Sequence, residues 1–288
     1  MNSKSKKILL AASAVLIISL GLLGYFLYKS STKHSFKITF FDIGQGDAAL
    51  IQFDNGQKML VDCGADRKIL AKLGRALPFY DRTIDYVLAT HSDLDHYGGC
   101  VDVLKNYKVK EIILNNRKKE YDPYWREWDK AVKNEGANIK IIDSPQVWTI
   151  ASSTLEFLSP DSSLALEVGA DDSNNYSIVF RLKNQEKSFL FTADMETPLE
   201  NALLKKYCVS TSTKPCTVLE SDILKVGHHG SDSSSGEEFL RAVNPQKAIV
   251  SNGKNNRYGH PSLRVLKKVE RSGAEILRTD KLGNIIEY

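Results

Sequence analysis

The sequence predicts an α/β protein: one domain in which two β-sheets pack face to face between outer helices, preceded by a single membrane-spanning helix. Three observations carry this reading. Strand-like and helix-like segments alternate through both halves of the 288 residues, with no linker between the halves. An uncharged run of 21 residues, Ile8 to Tyr28, lies near the N-terminus. Five of the six histidines fall into three clusters, each just past a predicted strand end.

A hydrophobic content of 42% is ample for a core. No internal period and no low-complexity tract is present, which excludes solenoid, propeller and disordered-tail readings. Lys4, Lys6 and Lys7 precede the uncharged run, and Lys29 and Lys33 follow it. At roughly 1.5 Å per residue it can span a hydrocarbon core of about 30 Å. The rival is a cleaved signal peptide, but the run ends Gly24-Tyr25-Phe26-Leu27-Tyr28, with no small-x-small site and no cysteine to lipidate. The expectation is therefore a cytoplasmic N-terminus (1–7), a transmembrane anchor (8–28), a linker (29–35) and a catalytic domain (36–288). The N-terminal lysine cluster leans the topology toward a single-pass protein of the cell membrane with that domain extracellular.

Removing the five lysines of residues 1–33, which contain no acid, turns the formal +4 into −1 for the remainder. Overall charge is thus no argument for nucleic-acid binding; only a local patch would be. Four cysteines in an oxidising compartment allow three connectivities. Cys208 and Cys216 bracket the polar loop Val209 to Pro215 and are the candidate disulfide. Cys63 and Cys100 are left open between pairing, remaining free and touching a metal.

Phe36 to Phe41 reads as a strand. Ala48 to Phe53 and Lys58 to Val61 form a hairpin turning at Asp54-Asn55-Gly56. Arg67 to Leu77 has helical spacing, Ile84 to Ala89 is a buried strand, the His91 motif leaves its end, and Gly98 to Asn106 is a helix. Strands at Glu111–Leu114 and Asn138–Ile142 flank a helix from Trp125 to Asn134. In the second half, strands at Val147–Ile150 and Thr154–Leu158 precede a polar loop, Ser159 to Asn175. Strands Ser177–Leu182 and Ser188–Thr192 and a helix from Glu196 to Lys206 follow. Ile223–Val226 is a strand ending in Gly227-His228-His229-Gly230, Glu237–Val243 is helical and Lys247–Ser251 is a strand. A helix from Pro261 to Ser272 carries Pro261 in its first turn and His260 at its cap, and strands at Glu275–Arg278 and Asn284–Tyr288 complete the pattern.

His91-x-Asp93-x-Asp95-His96 puts four ligand-type side chains into six residues directly after a strand. Packed together they are costly unless a cation neutralises them, and imidazole with carboxylate suits Zn²⁺ or Mn²⁺. Phe41-Asp42-Ile43-Gly44-Gln45-Gly46-Asp47-Ala48, Val61-Asp62-Cys63-Gly64, Thr90 to Gly99, Phe191-Thr192-Ala193-Asp194, Lys225 to Ser231 and Tyr258-Gly259-His260-Pro261 occur in that order. Together they resemble the metallo-β-lactamase-fold domain of the ComEC family of DNA-uptake channel proteins, over residues 36–288.

The resemblance implies an αββα sandwich with one or two divalent ions at one edge. It implies His91, Asp93, Asp95 and His96 as the first ligand motif, with Asp93 where the commoner form has a third His. It implies Asp194 as the carboxylate bridging two metals, His228 in preference to His229 as the last ligand, and Asp62 as the aspartate supporting the ligand loop. Asp47 lies near the same edge. No His occurs from Tyr97 to Gly227, where most such enzymes supply one; Asn174, Asn175 and Ser177 occupy that stretch. The site of His91 and Asp93 is thereby poorer in ligands than that of Asp95, His96 and His228. Asp95 also counts among the catalytic residues, with Lys225 and His260 at the rim to bind phosphate and to protonate the leaving oxygen.

The expected function is a membrane-anchored metal-dependent hydrolase, a phosphodiesterase or nuclease acting on DNA. Its rivals are a hydrolase of another surface phosphoester, such as phosphorylcholine, and an anchored binding module without turnover. Arg117-Lys118-Lys119 with Tyr121, Tyr124, Trp125 and Trp128 interleaves basic and aromatic residues, which suits either base stacking or a solvated helix whose tryptophans pack on the domain. No protein partner is inferable.

Overall fold

The computed structural model describes residues 3–31, 34–120, 122–164, 168, 173–185, 187–208 and 216–288. It divides into two units, Met1–Ser35 and Phe36–Tyr288. The first is helix α1 (Ser3–Ser31), in which Lys4–Gly24 is long and apolar enough to cross a membrane. Leu10, Val15, Ile17 and Leu20 are all exposed, so large apolar side chains project from this helix without a core to cover them. Helix extends into the expected linker, whose residues 32–33 lie outside the described set.

The second unit holds two sheets of seven strands each among the described residues. The first comprises β1 (Lys37–Phe40), β2 (Ala49–Gln52), β3 (Lys58–Val61), β4 (Thr83–Ala89), β5 (Lys108–Asn115) and β6 (Asn138–Ile142), with β14 (Ile285–Glu287) paired to β1. The second runs β13 (Glu275–Arg278), β12 (Lys247–Val250), β11 (Ile223–Lys225), β10 (Lys187–Phe191), β9 (Val179–Asn184), β8 (Ser153–Ser159) and β7 (Gln146–Ile150).

Strand alternation makes the three layers of core. Ile38, Phe40, Ile51, Met59 and Val61 point between the sheets and meet Leu155, Phe157, Phe180, Leu182, Phe189 and Phe191. Phe191 stacks on Phe40 at 5.6 Å and on Phe180 at 4.7 Å; truncating so central a ring costs about 3–5 kcal/mol. On the opposite faces, Leu50, Leu60 and Val87 lie under helices α2 (Lys68–Ala76), α4 (Cys100–Asn106) and α5 (Pro123–Glu135). Leu190, Leu224 and Ala248 lie under α6 (Thr197–Tyr207), α7 (Glu237–Val243) and α8 (Leu263–Arg271), and the short α9 (Thr279–Leu282) precedes β14. The result is the expected αββα sandwich.

Two expected elements differ. The helix after the His91 motif is two pieces, α3 (Leu94–Tyr97) and α4, joined at Gly98-Gly99. A Cβ there would lie 2.4 Å from the Ala65 carbonyl oxygen or 2.3 Å from that of Cys63, so only glycines let this corner press onto the loop after β3. Helix α8 starts at Leu263, not Pro261, and its cap is Ser262, whose hydroxyl accepts from the Val265 N–H at 3.1 Å. Cys208 and Cys216 are disulfide-bonded, while the intervening residues 209–215, like residues 165–167 and 169–172 of the polar loop and Tyr121, lie outside the described set. Cys63 and Cys100 are bonded too, buried in the outer core between the β3 loop and α4.

Strands β3, β4 and β5 run parallel, as do β10, β11 and β12. In parallel α/β sheets the segments leaving the strands' C-terminal ends are where ligands are met. Here those ends carry Asp62, His91, Asp194, His228-His229 and Ser251.

Candidate metal centre

Each of three imidazoles has one nitrogen tied down and the other aimed inward. Asp62 follows β3 in a left-handed conformation (φ 55°). Its Oδ1 accepts from the Thr90 N–H and its Oδ2 from the Thr90 hydroxyl, both at 2.8 Å, and the His96 Nδ1 lies 2.8 Å from Oδ2. His91 Nδ1 lies 3.0 Å from the Thr90 hydroxyl oxygen, and His229 Nδ1 lies 2.9 Å from the Ser251 carbonyl oxygen. Held in this way, the Nε2 atoms of His91, His96 and His229 are all buried and complete no hydrogen bond among the described residues.

Carboxylates converge on the same point. Asp194 places Oδ1 3.2 Å from His96 Nε2 and Oδ2 3.4 Å from His229 Nε2, and Asp95 Oδ2 lies 3.3 Å from His229 Nε2. Potential ligand atoms of His91, His96 and Asp194 lie within 4.8 Å of one another, as do those of Asp95, His96 and His229 and those of Asp47, Asp194 and His229. Asp194 thus belongs to groups on both sides of the centre. Burial alone would raise its carboxyl pKa, yet His229 and His96 hold it well below the usual carboxylate range. His91 goes the other way, its pKa lowered by burial and by His96, which keeps it in the neutral form a metal needs. Buried donors without partners, beside carboxylates that remain ionised, are what a divalent cation would satisfy, so the residues fit one.

Several expectations about individual residues change. His228, favoured as the last ligand, is 25% exposed, and its Nδ1 lies 2.9 Å from Glu196 Oε1; His229, 2% exposed, is the one that faces the cluster. Both residues are left-handed (φ 45° and 54°), and this turn sends the first ring outward and the second inward. Asp93 enters none of the convergent groups. It lies 3.9 Å from His91 Nε2, accepts from the Ser173 hydroxyl at 2.7 Å and is paired with Lys119.

Lys225 is not at the rim. It is 3% exposed and its Nζ lies 2.7 Å from Asp47 Oδ2, while Asp47 Oδ1 lies 3.3 Å from His229 Nδ1. Lys225 therefore neutralises the aspartate behind His229. His260 does sit near the surface, its ring 5.6 Å from that of His228 and stacked on Tyr258 at 5.8 Å. Asn174 donates to Glu196 Oε1 at 3.4 Å, and Asn175 Oδ1 accepts from the Glu196 and Leu199 N–H groups. These two asparagines position the start of α6 rather than replace the missing His. Ser177 is buried with its hydroxyl unpartnered, and the next residue, Ile178, donates its N–H to the Thr90 carbonyl at 2.9 Å.

Trp125 and Trp128 are buried against Tyr97, with ring separations of 5.0 and 6.1 Å, which removes them from any base-stacking surface. Residues the sequence did not single out are Glu196 and Ser251: the first is an ordinary charge by pattern, and Ser251 acts through its backbone. Lys119, expected only as part of a basic–aromatic run, is here the partner of Asp93.

An αββα sandwich with imidazoles and carboxylates converging at the strand ends defines a metal-site α/β protein. Residues 41–254 match the metallo-β-lactamase superfamily, and the chain belongs to that family, whose members are in general metal-dependent hydrolases. It is similar to ComE operon protein 3 of Bacillus subtilis, 30% identical over 86% of this chain and 32% of that protein. It is also similar to Competence protein ComA of Neisseria gonorrhoeae, 31% identical over 85% of this chain and 31% of that protein. The chain thus spans about a third of the length of these relatives. Among solved structures, CmlA, a diiron β-hydroxylase from Streptomyces venezuelae, shares the fold with a TM-score of 0.57 and 14% identity, over 89% of this chain and 54% of that one.

Proposed function

We propose that the chain is a membrane-anchored phosphodiesterase that cleaves DNA on the outer face of the cell membrane. In this reading His91, His96, Asp95, Asp194 and His229 hold one or two divalent ions, Zn²⁺ or Mn²⁺, with Asp194 shared between them. The observation that carries it is the set of three partnerless imidazole nitrogens aimed with Asp194 at one buried point. A divalent ion held there would supply an activated water and stabilise negative charge on a phosphoryl group.

The chain's own residues supply the rest. Asp62, Thr90 and the Ser251 carbonyl fix the imidazoles, and the Lys225–Asp47 pair sets the charge behind His229. His228 is partly open to solvent, with Nε2 3.8 Å from Asp194 Oδ2. Burial pushes the His228 pKa down, but the bond to Glu196 and the charge of Asp194 hold it above the ordinary value. It is thus placed to give a proton to the leaving oxygen, beside His260. The DNA assignment is supported by the competence relative and by the motif resemblance. Two disulfides fit an oxidising compartment and support the outward orientation.

The test is hydrolysis by the full chain in detergent, with Zn²⁺ or Mn²⁺, of single-stranded DNA, duplex DNA and bis-p-nitrophenyl phosphate. Cleavage of DNA is expected. Turnover of the small diester alone would favour another surface phosphoester, and turnover of none would leave a binding module.

A further inference from the structure

Beside the His91 half of the centre, the chain leaving β5 wraps one wall. Asn115 donates to the Thr90 carbonyl at 3.1 Å and to the Tyr176 carbonyl at 2.9 Å, which ties this wall to the residue preceding His91 and to the turn at 174–176. Its Oδ1 accepts from the Arg117 N–H at 3.0 Å. Two residues on, Lys119 is taken up by Asp93. Between them the Arg117 guanidinium lies on the Tyr176 ring, 3.8 Å from its centroid. Among the described residues no carboxylate pairs with that guanidinium.

Arg117 and Tyr176 line a cavity of about 300 Å³ together with Asp143, Asp161 and Ser162. A volume of that order accommodates a small planar ligand. The lining is mixed in a particular way. Asp161 is taken up by Lys206 and by the Ser163 N–H at 2.8 Å, which leaves Asp143 as the carboxylate open to a ligand. A guanidinium plane backed by an aromatic ring offers a flat cationic stacking surface, while a carboxylate in the same cavity accepts from N–H donors and repels a bare anion. An exocyclic amino group on a flat aromatic ring meets both requirements; a lone phosphate meets only the first.

We propose that this cavity is a base subsite: it takes the nucleobase of the nucleotide unit flanking the scissile phosphate, stacked on the Arg117 guanidinium, with Asp143 accepting from its amino group. The inference rests on the phosphodiesterase reading of the neighbouring centre and assigns its substrate specificity. Arg117 acts here as a plane and not only as a charge, so lysine is no substitute for it.

The experiment measures binding without turnover. Full-length chain in detergent with EDTA is titrated into a fluorescent single-stranded oligonucleotide of adenines and cytosines, and into an abasic oligonucleotide of equal length and charge, by anisotropy. The wild type is expected to bind the base-bearing strand about tenfold tighter than the abasic one, the scale of one stacked base. Arg117→Ala and Arg117→Lys should both bring that ratio to about one, and Tyr176→Phe, which keeps the ring, should preserve it. A ratio near one in the wild type, or full retention by Arg117→Lys, overturns the subsite. Parallel assay of the wild type on single-stranded DNA and bis-p-nitrophenyl phosphate with Zn²⁺ or Mn²⁺ separates the two failures. A base-dependent ratio without hydrolysis sinks the enzyme reading alone, and hydrolysis without the ratio sinks the subsite alone.

Discussion

The two flanks of the metal centre are built differently. On the His229 flank the buried Asp194 and Asp47 and the partly open Asp95, 32% exposed, converge on one imidazole, and Lys225 is sealed behind them. On the His91 flank Asp93, exposed to a similar degree at 29%, is ion-paired with Lys119 and accepts from the Ser173 hydroxyl. The carboxylates of the first flank face its imidazole, whereas that of the second is held by a competing cation. The contrast predicts unequal sites: one ion bound tightly through His229 and Asp194, and a second bound weakly through His91.

The largest test of that asymmetry removes Asp194, the carboxylate common to the His91 and His229 groups. Asp194→Ala is expected to lower hydrolysis on the order of 10³-fold and to leave under one equivalent of metal by elemental analysis. His229→Ala should also lose the tight ion, while His228→Ala keeps the metal stoichiometry and loses only rate. Equal metal loss in the two histidine variants would erase the distinction drawn between them.

Next in size is the link between the flank and its support. The Cys63–Cys100 bond closes a 37-residue separation that contains His91, and it joins the loop bearing Asp62 to α4. Replacing both cysteines by serine should cost about 3–4 kcal/mol in denaturant unfolding and weaken metal retention. An unchanged unfolding midpoint would mean that packing alone holds Asp62 under His96.

A third test lies beside the His228 side. Glu200 is buried, with its two oxygens accepting from the Ser235 and Gly236 N–H groups, and it faces Lys268 from α8 and Glu196 from before α6. Burial pushes its carboxyl up to about 7 from 4.5 despite those bonds and Lys268. Because the folded value is the higher one, its contribution is complete below 4.5 and disappears as pH rises through about 7. Stability in EDTA should therefore fall between pH 5 and 8 by up to about 3 kcal/mol more in the wild type than in Glu200→Gln. Parallel pH profiles for the two proteins would refute this.

The smallest effect should come from Lys119→Ala. Freeing Asp93 from its cation is expected to tighten binding of the second ion only a few-fold, read by titrating metal into the apo chain. Weaker binding would mean that Lys119 positions Asp93 instead of competing for it.

Most of the architecture was legible because hydrophobic alternation and glycine-marked turns report it directly, as at Lys58–Val61 and Glu237–Val243, whose expected ranges coincide with the observed ones. The site was legible as a set and less so residue by residue. Placing Lys225 at the rim overlooked strand parity: Ile223 faces the inter-sheet core and Leu224 the outer one, so Lys225 turns inward, as does Asp47 ahead of Ala49 and Ile51. Two charges of opposite sign on inward positions of neighbouring sheets are a buried pair in the making. No periodicity separates His228 from His229, because successive left-handed residues follow neither strand nor helix spacing. The engagement of Asp93 was not legible for a third reason: its partner, Lys119, is 26 residues away and reads only as part of a basic–aromatic run.

One pairing reaches beyond the chemistry. The opening strand β1 is hydrogen-bonded to the closing strand β14, with Ile38 opposite Glu287, so the sandwich starts and finishes on neighbouring strands of one sheet. A unit whose ends meet can be spliced into a host sequence, or reopened elsewhere by circular permutation, without stretching its connections. Portability is thus written into the edge of the first sheet, far from any reacting atom.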